Sequence, residues 1–102
     1  MKIYANRCND IIELKLVGEL DEHSAKTARR EADEYAQKSI GAKKAVLNLS
    51  EVSFMDSTGI GFLLGRYKAF KRFGIPLYIF SPSQSTDKIL LMSGVYSLIP
   101  KI

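Results

Sequence analysis

Hydrophobic and polar residues change period several times along this chain. Residues 11–17, IIELKLV, alternate: Ile12, Leu14 and Leu16 fall on one side, Glu13 and Lys15 on the other. That period of two predicts a strand with one buried face. Residues 2–7, KIYANR, form a shorter candidate strand. Cys8-Asn9-Asp10 between the two is a turn signal, so a hairpin is the simplest connection. After Gly18-Glu19-Leu20-Asp21 the period changes to that of a helix. Ala25, Ala28, Ala32, Tyr35 and Ala36 make a narrow stripe of mostly small residues, Asp21 is a good N-cap, and Gly41 is placed as the stop. AVLNL (45–49) predicts a short apolar strand, with a loop expected from Ser50 to Asp56. A second helix is expected over 57–72, its apolar face supplied by Ile60, Leu63, Leu64, Tyr67 and Phe70, with Gly74 ending it. PLYIF (76–80) predicts another strand. Ser81-Pro82-Ser83-Gln84 predicts a third helix, with Pro82 at its first position, a Ser-x-x-Gln capping box, and Ile89, Leu90 and Met92 as core contacts before Gly94. Residues 95–102 are expected to add a last turn on the core.

The resulting order, β-β-α-β-α-β-α, predicts an α/β domain with a mixed, mostly parallel four-stranded sheet. Two successive right-handed crossovers give strand order 1-2-3-4, with the first strand antiparallel at the edge and the helices packed mainly on one face. The other face stays open or partly covered, which suits the outward Glu13 and Lys15.

At 102 residues the chain suits one domain, and nothing in it suggests a repeat or long linker. A net charge of +4 is too mild to argue for nucleic acid. The densest basic run, Arg66, Lys68, Lys71 and Arg72, reads as a solvated helix end, where cations complement the dipole. One cysteine, Cys8, allows no internal disulfide and makes a structural zinc site a poor reading. The start MKIYANRCND has no signal-peptide character, and no stretch approaches the ~18 apolar residues of a membrane span. A cytoplasmic protein with no membrane or direct DNA partner, monomeric when free, is the expectation.

The chemistry-bearing stretch is VSFMDSTGIG (52–61). A nucleophile elbow would need Gly-x-Ser-x-Gly on a tight strand-to-helix turn. Here Met55 replaces the first glycine, several residues separate Ser57 from the expected strand, and His23, the only imidazole, belongs to another helix. Gly59, Gly61 and Gly65 do not make a phosphate loop, because position 64 is Leu and no Gly-Lys-Ser/Thr follows. A metal site from Asp10, Asp21 and Asp56 would use acids that already serve as turn or cap residues. A capped helix accounts for Asp56, Ser57 and Thr58 but not for the glycines. Each interior glycine costs about 1 kcal/mol relative to alanine, so three within one helix cost roughly 3 kcal/mol. Close packing on the sheet, or close approach of another molecule, would offset that. A docking surface with a modifiable hydroxyl follows: phosphate on Ser57 would lie at the positive end of a helix and add about −1.5 to −2 charge beside Asp56.

GELDEHSA (18–25), VLNLSEVSFMDSTGIGFLLGRYK (46–68) and MSGV (92–95) resemble the STAS-domain anti-sigma factor antagonists, with the sporulation branch nearest. The resemblance covers nearly the whole chain and implies a STAS-like fold over residues 1–102. It further implies a protein that is no enzyme and carries no cofactor or metal. The unmodified form would bind an anti-sigma factor that is also a serine kinase, releasing the sigma factor. The kinase would phosphorylate Ser57, and a phosphoserine phosphatase would reverse it. By the same resemblance Asp21, Asp56, Ser57, Thr58, Gly59 and Gly61 belong to the partner-binding surface. SPSQSTDKILLMSG (81–94) is more polar at 84–87 than the family pattern, which affects the third helix rather than the switch. Two alternatives stand beside this one: a stress-response-branch antagonist with another kinase partner, and a serine hydrolase.

Overall fold

Alternation in the second strand sets the architecture. In the computed structural model, which describes residues 1–102, β1 (Lys2–Cys8) and β2 (Ile11–Leu20) form an antiparallel hairpin. Asn9, at φ 56°, and Asp10 make its two-residue turn, the left-handed geometry that Asn tolerates. β3 (Lys44–Met55) and β4 (Leu77–Phe80) add in parallel, giving the order β1-β2-β3-β4. Both the strand order and the antiparallel edge agree with expectation.

Ile12, Leu14, Leu16 and Leu20 of β2 and Ala45, Leu47, Leu49, Val52 and Met55 of β3 join one core cluster. Helices α1 (Glu22–Lys38) and α2 (Ser57–Arg72) pack on this face and against each other. The alanine stripe of α1 is buried at positions 25, 28, 32 and 36, and its small side chains let α1 lie close to its neighbours. Leu90 of α3 (Gln84–Ser93), Val95 of a 3-10 turn (Val95–Ser97) and Ile99 complete the core. On the opposite face Lys15 forms an ion pair with Glu51, and the Lys44 ammonium lies 5.6 Å from the Tyr78 ring centre. The C-terminal residues cover part of the β4 edge: Ile79 N–H donates to the Pro100 carbonyl, and Ile102 N–H to the Ile79 carbonyl, both at 2.9 Å.

Several boundaries differ from expectation. The segment 50–55, expected as loop, continues β3 to Met55, because β2 also runs on and pairs with it as far as Leu20↔Met55. The register shifts between Lys15 and Val17 and again between Gly18 and Glu19, where Gly18 takes φ +118°. β4 ends opposite Asn48, so the remainder of β3 is an edge on that side. Its exposed Ser50, Glu51 and Ser53 disguised it as loop. α1 stops at Lys38 with Ser39 as C-cap, before Gly41.

α3 begins at Gln84 with Ser83 as N-cap, its hydroxyl accepting from Thr86 N–H, so neither the Ser81 capping box nor Pro82 at the first helical position forms. Ser81 is left-handed at φ 55°, and a residue before proline is disfavoured in the helical region. On α3 Leu90 is buried as expected, whereas Ile89 is only half-buried and Met92 points outward, and Thr86 is buried as well.

The end of the chain is tied down by Asp87, which accepts from the Tyr96 hydroxyl and, at 3.0 Å, from Lys101 Nζ. The Tyr96 hydroxyl first, then Lys101, holds the Asp87 carboxyl below the usual carboxylate range. Folding therefore favours the charged form. The resulting stability is fully present above the unfolded carboxylate range and is lost as pH falls through the lowered folded value. Thermal melts of the wild type and Asp87→Asn across this acid range should converge at the lowest pH and separate above about pH 4.

Candidate functional site

Leu20 and Met55 sit opposite each other at the carboxyl ends of parallel strands. The residues that follow, Asp21 and Asp56, therefore cap two helices that start side by side. Asp21 Oδ1 accepts from Ser24 N–H at 2.9 Å while Ser24 Oγ accepts from Asp21 N–H at 3.1 Å, a reciprocal capping box. The Ser24 amide is the main reason that the Asp21 carboxyl lies below its ordinary range. Asp56 Oδ1 accepts from Thr58 N–H at 2.9 Å and Gly59 N–H at 3.3 Å. Asp21, Glu22, His23, Lys26 and Asp56 line a polar depression between the two helix starts.

Ser57 is the first residue of α2 and is exposed; Thr58 is half-buried beside it. The amides of Thr58 and Gly59 already serve Asp56, so a phosphate on Ser57 would not find them free. It would stand beside Asp56, with the Asp21–Glu22 pair across the depression. Asp10 lies in the hairpin turn, at the opposite end of β2, so the three aspartates do not converge as a metal site. The helix begins after a single residue, Asp56, so the separation that argued against a nucleophile elbow disappears. The upstream glycine is still Met55, and no hydrogen bond links His23 to Ser57, although His23 lines the adjoining depression.

The glycines divide. Gly59 is buried. A Cβ there would overlap Met55 Cγ and lie 3.3 Å from the Leu20 carbonyl oxygen. Gly59 therefore lies beneath the surface it was expected to help form, and it lets α2 start close to β2 and β3. Gly61 is exposed, and a Cβ there meets nothing within 4 Å, so packing does not account for it.

Arg66 is the residue that sequence reasoning misplaced. It is buried rather than solvated, with Nε 2.8 Å from Asp33 Oδ1 on α1 and the guanidinium carbon 4.8 Å from the Phe62 ring centre. Burial works against its charge and lowers its pKa, which Asp33 opposes. The available signal was spacing: residues 59, 62, 66 and 70 recur at helical intervals, and all four are buried.

A four-stranded mixed sheet, antiparallel only at its first strand and carrying three helices, is the fold of STAS domains. The STAS domain family matches residues 2–102, and the chain belongs to that family. The chain is 33% identical over 90 residues to an anti-sigma F factor antagonist of Paenibacillus polymyxa, covering 88% of this chain and 76% of the relative. It is 31% identical over 91 residues to an anti-sigma-B factor antagonist of Staphylococcus epidermidis, covering 89% and 82%. The structure of the anti-sigma factor antagonist SpoIIAA in its unphosphorylated form superposes with a TM-score of 0.78 at 24% identity, over 99% of this chain and 88% of SpoIIAA. The phosphorylated form of SpoIIAA from Bacillus gives 0.70 at 22% identity, over 99% and 91%. These two likenesses establish the fold. No helix of this chain is long and apolar enough to cross a membrane.

Proposed function

We propose that this chain is an anti-sigma factor antagonist switched at Ser57. Unmodified, it binds an anti-sigma factor serine kinase in the cytoplasm as a monomer and so releases a sigma factor. Transfer of a phosphoryl group to the Ser57 hydroxyl ends the binding, and a phosphoserine phosphatase restores it. The observation that carries this reading is the exposed Ser57 at the first position of α2, set beside the Asp21–Asp56 depression. Asp21, Asp56, Ser57, Thr58 and Gly61 form the docking face, with Gly59 fixing the helix start beneath it. Added negative charge on that face faces carboxylates already present, and an interface fitted to a hydroxyl has no partner for it. The chain is then a substrate, and the catalytic groups belong to the kinase. A second reading keeps the same switch but takes a partner that controls a stress-response sigma factor; the likeness to an anti-sigma-B factor antagonist supports a partner other than an anti-sigma F factor. Binding titrations against an anti-sigma F factor and an anti-sigma B factor separate the two: one should bind and be released by phosphorylation. Binding of neither, with covalent labelling of Ser57 by a serine-reactive probe that is lost in His23→Ala, would favour a hydrolase instead.

The two glycines give a prediction of opposite sign. Gly61→Ala should raise stability by about 1 kcal/mol, because a helical glycine with open space gains from a methyl. It should also weaken anti-sigma factor binding, because that methyl projects from the docking face. Gly59→Ala must displace Met55 within the core and should be less stable than Gly61→Ala by roughly 1–3 kcal/mol. Denaturant unfolding and a binding titration on both variants check this. A more stable Gly61→Ala with unchanged affinity would remove Gly61 from the docking face.

A further inference from the structure

β3 reaches Asp56 through an irregularity. Gly18 of β2 pairs with Val52, and the next residue, Glu19, pairs with Phe54, so Ser53 is an extra residue in β3. Side chains of a regular strand alternate between the two faces. Val52 and Met55 nevertheless both belong to the core, a spacing of three that regular alternation forbids and the extra residue allows. Without it Phe54 would point inward beside Val52. With it Phe54 turns to the sheet face away from the helices, where it is 49% exposed. Bulges of this kind re-aim a side chain and recur next to functional sites.

Among the large apolar side chains exposed on this protein, only Phe54 belongs to the strand that ends at Asp56. Three residues separate it from Ser57, a reach of at most about 11 Å. Its register partner Glu19 is exposed and stands two residues before Asp21. The Ser24 hydroxyl donates to the Glu19 carbonyl at 2.7 Å, which fastens the start of α1 to this end of β2. One exposed aromatic ring and the carboxylates of Glu19, Asp21, Glu22 and Asp56 therefore share one end of the sheet, held in place by strand pairing and helix caps.

We propose that Phe54 is an anchor of the docking surface, its ring entering an apolar pocket of the anti-sigma factor whose rim carries basic side chains. The inference rests on the docking reading above and extends that surface from the helix starts, over the end of the sheet, to its open face. An aromatic ring brings a large apolar area with few rotatable bonds, and such residues dominate interface energetics when a pocket covers them. The four carboxylates face the basic rim, where complementary charge sets orientation and encounter rate. Ser57 follows Phe54 along a rigid path of three residues, so seating the ring places the Ser57 hydroxyl before the catalytic groups of the kinase.

Two measurements on the intact chain test it. The first titrates Phe54→Ala and Ile11→Ala with whichever of the two anti-sigma factors binds the wild type. Ile11 is exposed on the same sheet face, at the far end of β2 opposite Lys44. Phe54→Ala should weaken binding at least about tenfold and Ile11→Ala less than about twofold. Each should melt within about 4 °C of the wild type. The second measurement leaves the surface intact and stands even where Phe54→Ala melts lower. All five phenylalanines are replaced by 4-fluorophenylalanine and followed by 19F NMR in light and heavy water. The Phe54 resonance, assigned by its absence from Phe54→Leu, should show a solvent isotope shift in the free chain and lose it in the complex. Phe80, exposed opposite Asn48, should keep its own. Unchanged affinity in Phe54→Ala, an equal loss in Ile11→Ala, or a Phe54 resonance that keeps its isotope shift in the complex would overturn this anchor and leave the switch at Ser57 standing. A wild type that binds neither factor would defeat the docking reading, and the anchor with it.

Discussion

Ser57→Asp is expected to weaken anti-sigma factor binding at least tenfold, and phosphorylated Ser57 about a hundredfold, a change of roughly 2.7 kcal/mol in binding free energy. Folding stability should change by less than about 1 kcal/mol in either form. Both expectations follow from placement. Ser57 is exposed at the first helical position, where a new carboxylate gains from the helix dipole and loses by repulsion from Asp56. The two effects oppose each other at similar size, and no packed atom is displaced. A docking partner meets the charge directly. Calorimetric or spectroscopic melting alongside a binding titration separates the two quantities. A collapsed melting transition in Ser57→Asp would make Ser57 a structural residue and remove the basis for a switch.

Asp33→Ala should destabilise the free domain by about 2 kcal/mol. Removing the acid leaves Arg66 charged and buried with no counter-ion, and breaking a fully buried pair costs about 3–5 kcal/mol. The Asp33 side chain is 43% exposed, so water reaching the cleft compensates in part. Adding Arg66→Met to Asp33→Ala should recover at least half of the loss, because an apolar side chain of similar length needs no partner among Phe62, Ala69 and Phe73. Chemical denaturation of the two single variants and the double variant forms a cycle for this pair. A double variant no more stable than Asp33→Ala would mean that the guanidinium itself, and not its lost charge partner, holds α1 to α2.

The strand order, the antiparallel edge and the position of α2 were legible because each rests on a local period or a cap. Asp21 and Asp56 announce their helices by residue type, and the alternation of Ile12, Leu14 and Leu16 announces its buried face. What was illegible depended on partners distant in sequence. The outer half of β3 carries Ser50, Glu51 and Ser53, and only pairing with the equally extended β2 makes it strand. Arg66 read as solvent-exposed by its charge, although its spacing from Phe62 and Phe70 assigns it to the core. Its partner Asp33 lies on another helix, which no local pattern shows. The same long-range pairing, Leu20 opposite Met55, brings Asp21 to Asp56. The sequence placed each of them at a helix start, and the sheet register makes them neighbours.

Incubation of the chain with the anti-sigma factor kinase and ATP, followed by intact mass and site mapping, tests the central claim most directly. One phosphate should be incorporated, on Ser57. Thr58→Ala should accept it largely as the wild type does, and Ser57→Ala should accept none. Phosphate on any other residue of Ser57→Ala, or an unmodified wild type in a mixture where the kinase is bound and active, would contradict a switch at Ser57.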